Sequence, residues 1–298
     1  MDYLITGATG FIGRQLVGQL LALGHEVNYL GRKRSRTMDS RAAFHCWTLE
    51  QLPPLDSISR LDAIIHLAGE PIMQRWAPEV KRRIRASRVE STRNLVSAIG
   101  TLRHKPQVLV SASAIGYYGD RGDEILTETS APGADFLARV CIDWESEADR
   151  ARGFGVRVVT IRNAIVLGTH GGALKKMLRP FRMGLGGRFG DGRQWMSWIH
   201  VDDLVRLLIC AVENSAMSGP VNGGSPDPVT NAELTRTLGR VLHRPAVLPV
   251  PKLVLKLAFG EVGEVMLGSQ RVLPAAAQRN KFDFQYPDLG TALESLLD

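Results

Sequence analysis

The hydrophobic pattern switches repeatedly between short apolar runs and stretches of helical period. Asp2–Thr6 is an apolar run of strand length, and Glu26–Leu30, Leu61–Leu67 (LDAIIHL), Gln107–Ser113 (QVLVSAS) and Val156–Leu167 read the same way. Between the first two, Phe11, Ile12, Leu16, Val17, Leu20 and Leu21 share a helical face until Gly24 stops the run. Pro78–Ile99 predicts a long basic helix. Ala134–Arg152 predicts another, with Phe136, Val140, Trp144 and Ala148 one turn apart. Strands and helices in this alternation imply an α/β fold: a parallel sheet, helices on both faces and right-handed crossovers.

After Gly168 the texture changes. Gly171, Gly172, Gly184, Gly186, Gly187, Gly190 and Gly192 crowd a loop-rich stretch. Helical patterns return at Asp203–Glu213 and Ala232–Leu242, and Thr230-Asn231-Ala232-Glu233 is a capping-box signal for the second. Pro249 and Pro251 interrupt the chain again, and 252–298 reads as mostly helical. The expected division is one domain over 1–170 and a smaller mixed domain over 171–298, with 195–212 crossing between them.

Composition narrows the class. A chain of 298 residues that is 44% hydrophobic and 22% charged is globular. No apolar run approaches the ~18–20 residues of a membrane span. The opening MDYLITG shows neither a basic leader nor a cleavage site. Cys46, Cys141 and Cys210 are far apart, with no zinc spacing, so no metal site is expected; they read as reduced core residues of a cytoplasmic or organelle-matrix protein. The net charge of +7 favours anionic partners. It gathers in two clusters, Arg32-Lys33-Arg34-Ser35-Arg36 and Lys81–Arg88, without interleaved aromatics, which argues against nucleic acid.

Thr6-Gly7-Ala8-Thr9-Gly10-Phe11-Ile12-Gly13 is G-x-x-G-x-x-G between a strand and a helix. Gly7 permits the tight turn, Gly10 lets backbone approach a pyrophosphate, and Gly13 lets helix and strand pack closely. In this setting Gly7, Thr9, Gly10, Phe11, Ile12 and Gly13 are expected to bind a dinucleotide, and the sheet is expected to be Rossmann-like and doubly wound. The spacing resembles extended short-chain dehydrogenases/reductases of the sugar-nucleotide epimerase and dehydratase type, which open TGxTGFIG. His66-Leu67-Ala68-Gly69, Ser111-Ala112-Ser113 with Tyr118-Gly119, Arg162–Gly168 and Trp198–Leu204 resemble later motifs of that superfamily. Asn163 stands where its R-P-x-x-V-Y-G motif has proline. Gly171–Leu174, Pro180–Gly187 and the tail from about 249 look like the "epimerase family protein" branch with a C-terminal DUF1731 domain. The resemblance implies that Leu67, Ala68, Gly69, Ser111, Arg162 and Val166 flank the cofactor, with Glu70 and Arg88 beside them. It implies a smaller C-terminal substrate domain.

Charge selects the cofactor. An NAD site usually ends its second strand in a carboxylate that binds the ribose 2′-hydroxyl. Here that end reads Tyr29-Leu30-Gly31-Arg32-Lys33. Arg32 can grip a 2′-phosphate bidentately, and Lys33 adds positive potential, so NADP(H) is expected at Gly31, Arg32 and Lys33.

The acid–base pattern departs from the family. Members use Tyr-x-x-x-Lys, whose lysine lowers the tyrosine pKa. On the matching helix Phe136 and Val140, or their neighbours, occupy the expected places, and neither Phe136 nor Val140 moves protons. Ser113, Tyr117 and Tyr118 are the remaining catalytic candidates, Ser113 to polarise a carbonyl and the tyrosines to carry a proton. Three readings follow: an NADP(H)-dependent oxidoreductase or epimerase with substitute residues, a noncatalytic NADP(H) sensor or scaffold, and a basic nucleic-acid binder. The first is favoured, with a small-molecule substrate for which an anion suits the charge, and with neither nucleic acid nor membrane as partner.

Overall fold

The computed structural model describes residues 1–297. The first half runs β1 (Asp2–Thr6), α1 (Phe11–Ala22), β2 (Glu26–Gly31), β3 (Ala43–Cys46), β4 (Ala63–His66), α2 (Pro78–Thr101), β5 (Val108–Ala114), β6 (Ile125–Leu126), α3 (Phe136–Asp149), β7 (Arg157–Asn163) and β8 (Ile165–Leu167). The second half runs α4 (Gly172–Arg182), β9 (Trp195–Met196), β10 (Trp198–His200), α5 (Val201–Glu213), β11 (Gly219–Gly223), β12 (Val229–Thr230), α6 (Asn231–Val241), α7 (Lys252–Phe259), α8 (Glu261–Leu267), β13 (Arg271–Val272), α9 (Ala275–Arg279) and α10 (Leu289–Leu297).

Seven parallel strands form the central sheet in the order β11-β7-β5-β4-β1-β2-β3. Its inner strands are buried on both faces, which is why they read as unbroken apolar runs. Leu16, Val17 and Leu20 of α1 pack with Leu204, Leu207 and Leu208 of α5 on one face. Leu95, Val96 and Ile99 of α2 cover the other with Ala148 of α3. The fold is therefore Rossmann-like and doubly wound. Strand order reverses between β1 and β4, and the crevice beyond their C-terminal ends is where such sheets bind ligands.

The chain returns to this sheet after leaving it. α5 packs on α1, and β11 pairs with β7 along Gly219–Gly223. A separate core joins α4, α6 and α10 through Leu174, Leu178, Leu234, Leu238 and Leu293. Thr230 caps α6 by accepting from the Glu233 N–H, as the sequence predicts. The tail carries the short helices α7 to α10, an irregular stretch over 280–288, and β13, which pairs with β6. Two further expectations need correction. Val156–Leu167 is not one strand: after Asn163 the chain leaves the sheet, and β8 pairs with β10. Cys46 is not a core residue; it ends the edge strand β3 and is exposed, whereas Cys141 is buried and Cys210 half-buried.

Candidate functional site

Two backbone turns meet at the switch point. Gly7 opens the first with φ +68°, and a Cβ there would lie 2.6 Å from the Leu67 carbonyl oxygen. A Cβ on Gly13 would overlap the Gly7 carbonyl. Gly10 precedes α1 at the N-cap, and that N-terminus has no side-chain cap and no acid in its first turn. Its partial positive charge is therefore free to meet an anion. Thr9 and Gly10 are exposed; Phe11 and Ile12 are half-buried. The Phe11 ring fills the space that side chains on Gly168 and Gly171 would need, and Gly172 (φ +72°) turns the chain beneath it. Val166 is half-buried beside this packing.

Thr6 and His66 hold the turns together. Thr6 Oγ1 lies 2.6 Å from His66 Nδ1 and accepts from the Leu67 and Ala68 N–H groups at 3.2 and 3.1 Å. His66 Nε2 lies 3.0 Å from Thr92 Oγ1 on α2. The imidazole is fully enclosed, and burial pushes its pKa down to about 4, so it is neutral near pH 7.

Cations border the crevice on both sides. Arg32, Lys33 and Arg34 are exposed just after Gly31, and among the described residues none of them joins an ion pair. The nearest following acid, Asp39, is held by Arg41 at 2.7 Å. On the other side the Arg88 guanidinium lies against Gly69, where a Cβ would be 3.2 Å away, and 5.4 Å from the Trp144 ring centroid. It donates to the Ile84 carbonyl at 3.2 Å and has no carboxylate partner among the described residues; burial lowers its pKa. The rest of that cluster is neutralised by ion pairs: Lys81–Glu261, Arg82–Glu79, Arg83–Glu70 and Arg85–Asp143. Glu70 also accepts from Gln74 at 3.3 Å.

Behind the crevice lies a buried polar network. Arg162 grips Glu145 with two N–H groups at 2.9 and 2.8 Å, and its third nitrogen donates to the Tyr118 hydroxyl at 2.9 Å. Tyr118 donates to Asn222 Oδ1 at 2.7 Å, and the Asn222 N–H donates to Glu128 at 3.0 Å. Ser113 donates to Glu145 at 2.6 Å. Tyr118 is fully buried, and burial pushes its pKa up to about 12. Tyr117 is half-buried under the Arg162 guanidinium, 3.5 Å from its ring centroid; among the described residues its hydroxyl has no hydrogen-bond partner.

This placement differs from the sequence reading at four residues. Tyr118 is enclosed, so its hydroxyl links core groups instead of facing a substrate. The Arg162 guanidinium is committed to Glu145 and Tyr118. Ser111 is buried with its hydroxyl on the Ala112 carbonyl at 3.2 Å, and Ser113, 2% exposed, has its proton on Glu145. The glycine turn, Gly31, Leu67–Gly69 and Arg88 do converge on the crevice. Sequence reasoning missed Glu145, Asn222 and Glu128. Glu145 lies next to Trp144 on the apolar stripe of α3, which is a legible signal; Asn222, in a strand that reads as loop, offers none.

A model of the NAD dependent epimerase/dehydratase family matches residues 3–223. The chain belongs to the NAD dependent epimerase/dehydratase family. A second match, to a domain of unknown function (DUF1731), covers 250–296. The "Epimerase family protein SDR39U1 homolog, chloroplastic" of Arabidopsis thaliana is 41% identical over 100% of this chain and 87% of its own. "Epimerase family protein YfhF" of Bacillus subtilis is 39% identical over 100% and 98%. Among solved structures, human epimerase family protein SDR39U1, crystallised with NADPH, superposes with a TM-score of 0.90 at 34% identity, covering 99% of each chain. Phe136 and Val140, the residues on which the sequence reading places the family's Tyr and Lys, lie on α3. Phe136 packs edge-on to Trp76 at 5.2 Å with the Lys81 ammonium 5.2 Å from its ring, and Val140 is buried. No helix among the described residues is long and apolar enough to cross a membrane.

Proposed function

We propose that this family member binds NADP(H) in the crevice and uses it as an oxidoreductase or epimerase on a small molecule. One observation carries the cofactor choice: the end of β2 presents unpaired Arg32, Lys33 and Arg34 and no carboxylate. The rest of the cradle fits the same group. The turn leaves no room for a Cβ, and the uncapped N-terminus of α1 receives a pyrophosphate. Arg32 offers two parallel N–H donors to a 2′-phosphate, and Arg88 adds a further unpaired cation beside Gly69. The NADPH of the human relative supports this reading.

The cofactor, when bound, supplies hydride chemistry. The chain itself must handle the proton. With its proton on Glu145, Ser113 offers a substrate only lone pairs. Tyr117 has the free hydroxyl, with the Arg162 guanidinium against its ring, so Tyr117 carries the proton. Tyr118, Arg162 and Glu145 position it. Free cysteines and NADPH use suit a cytoplasmic or organelle-matrix location.

A noncatalytic NADP(H) sensor is the second reading, favoured by the apolar pair Phe136 and Val140. A screen of small carbonyl compounds for NADPH oxidation separates the two. Turnover that falls about a hundredfold or more in Tyr117→Phe supports the enzyme. Absence of turnover with every compound favours the sensor.

A further inference from the structure

One helix turns its apolar side outward. Leu253, Val254 and Leu257 stand at i, i+1 and i+4 of α7 and share one side of it. All three are exposed, Leu253 by 67% and Leu257 by 70%. Leu255 is the buried residue of this helix, and α8 packs closely there: a Cβ on Gly263 would lie 2.6 Å from the Leu255 carbonyl oxygen. Lys252 and Lys256 flank the stripe, held by Asp191 and Glu264 at 3.8 and 3.0 Å.

The neighbouring chain extends the apolar surface. Val247 and Leu248 lead into α7, and the segment from Met183 to Gly190 runs beside them. A Cβ on Gly187 would overlap the Leu248 carbonyl, and the Val250 N–H donates to the Arg188 carbonyl at 2.8 Å. Met183, Leu185, Val247, Leu248 and Phe259 are all exposed. With the stripe they present on the order of 800 Å² of apolar surface, more than the ~300–600 Å² of a typical monomer's largest patch and about one partner's share of a standard interface. Exposed leucines scattered singly need no explanation, but a continuous face of this size does.

Charge decides what fits the face. At its leading end Arg182, Arg188 and Arg244 are exposed and join no ion pair among the described residues. At its trailing end α8 carries Glu261 and Glu264, whose pairs with Lys81 and Lys256 lie at the surface and contribute little. An anionic lipid surface would attract the arginines and repel these acids. The face is complementary to itself once reversed: a twofold axis across α7 sets the acids of each chain toward the arginines of the other.

We infer that this face is a dimer interface, with α7 packed antiparallel on α7 of a second copy of the chain. The apolar stripes form its centre and the charged ends its rim.

Sedimentation of the full chain over about 1 to 50 µM tests this, with a mass of two 32.7 kDa chains expected at the upper end. Leu253→Lys/Leu257→Lys should weaken association about tenfold or more, with an unchanged melting temperature because both positions are exposed. Arg182→Glu/Arg188→Glu should weaken it severalfold. Leu23→Lys, at an exposed leucine outside the face, should leave it unchanged. A monomer throughout the range overturns the inference, as does a dimer that the leucine variant leaves intact. Unchanged association in the arginine variant would overturn the antiparallel placement. Flotation with phosphatidylglycerol vesicles is run alongside; a monomer that floats, and stops floating in the leucine variant, would assign the face to lipid and overturn the inference.

Discussion

His66 makes the stability of the cradle depend on pH. Its folded pKa, about 4, lies below the ordinary 6.5 because burial disfavours the charged ring. The unfolded chain therefore binds more protons across that interval. The stability contributed by neutral His66 is full above about pH 6.5 and is lost as pH falls toward about 4. The complete window is worth about 3 kcal/mol, and the part between pH 7.5 and pH 5 about 2 kcal/mol. His66→Gln keeps a polar partner for Thr6 or Thr92 but does not titrate. Urea unfolding of both proteins, from pH 7.5 to pH 5, isolates the effect, since the other titrating groups are common to both. The wild-type protein should lose about 2 kcal/mol more than the variant over that range. Parallel profiles would refute the reasoning and show that His66 is charged or hydrated when folded.

Glu145→Ala strips the partner from a buried guanidinium and should cost about 3–5 kcal/mol in denaturant unfolding, with Glu145→Gln milder. Gly13→Ala drives a Cβ into the Gly7 carbonyl; calorimetry should show about 1–3 kcal/mol of destabilisation together with loss of NADPH binding. Tyr118→Phe removes the donor to Asn222 and should cost about 1–3 kcal/mol with an unchanged pH–rate profile. Tyr117→Phe should do the reverse, losing turnover while its melting temperature stays near wild type.

The nucleotide-binding half was legible because parallel strands buried on both faces read as plain apolar runs, and because Gly7 and Gly13 are each required by a close backbone approach. β3 escaped notice as a four-residue edge strand reached through a polar loop, and only partial burial marks it. The return of the chain to the sheet is seen at β11, whose GPVNG reads as a turn. Site chemistry was harder to read, since the deciding contacts are distant in sequence: Tyr118 and Asn222 are 104 residues apart. Which of two adjacent tyrosines faces inward depends on the 3-10 turn Ile115–Tyr118, a rotation that no periodicity fixes. Glu145 claims the Ser113 proton and one edge of Arg162, and Tyr118 takes the third guanidinium nitrogen, so motif residues that look available to ligands are already in use.

The central claim is that Arg32 and its neighbours select NADP(H). Fluorescence titration with NADPH and NADH in parallel, on nucleotide-free wild-type and Arg32→Ala protein, tests it most directly. NADPH should bind the wild type about tenfold or more tightly than NADH, and the substitution should remove most of that preference while leaving NADH nearly unchanged. Equal affinity for the two cofactors, or an equal loss of both in the variant, would contradict it.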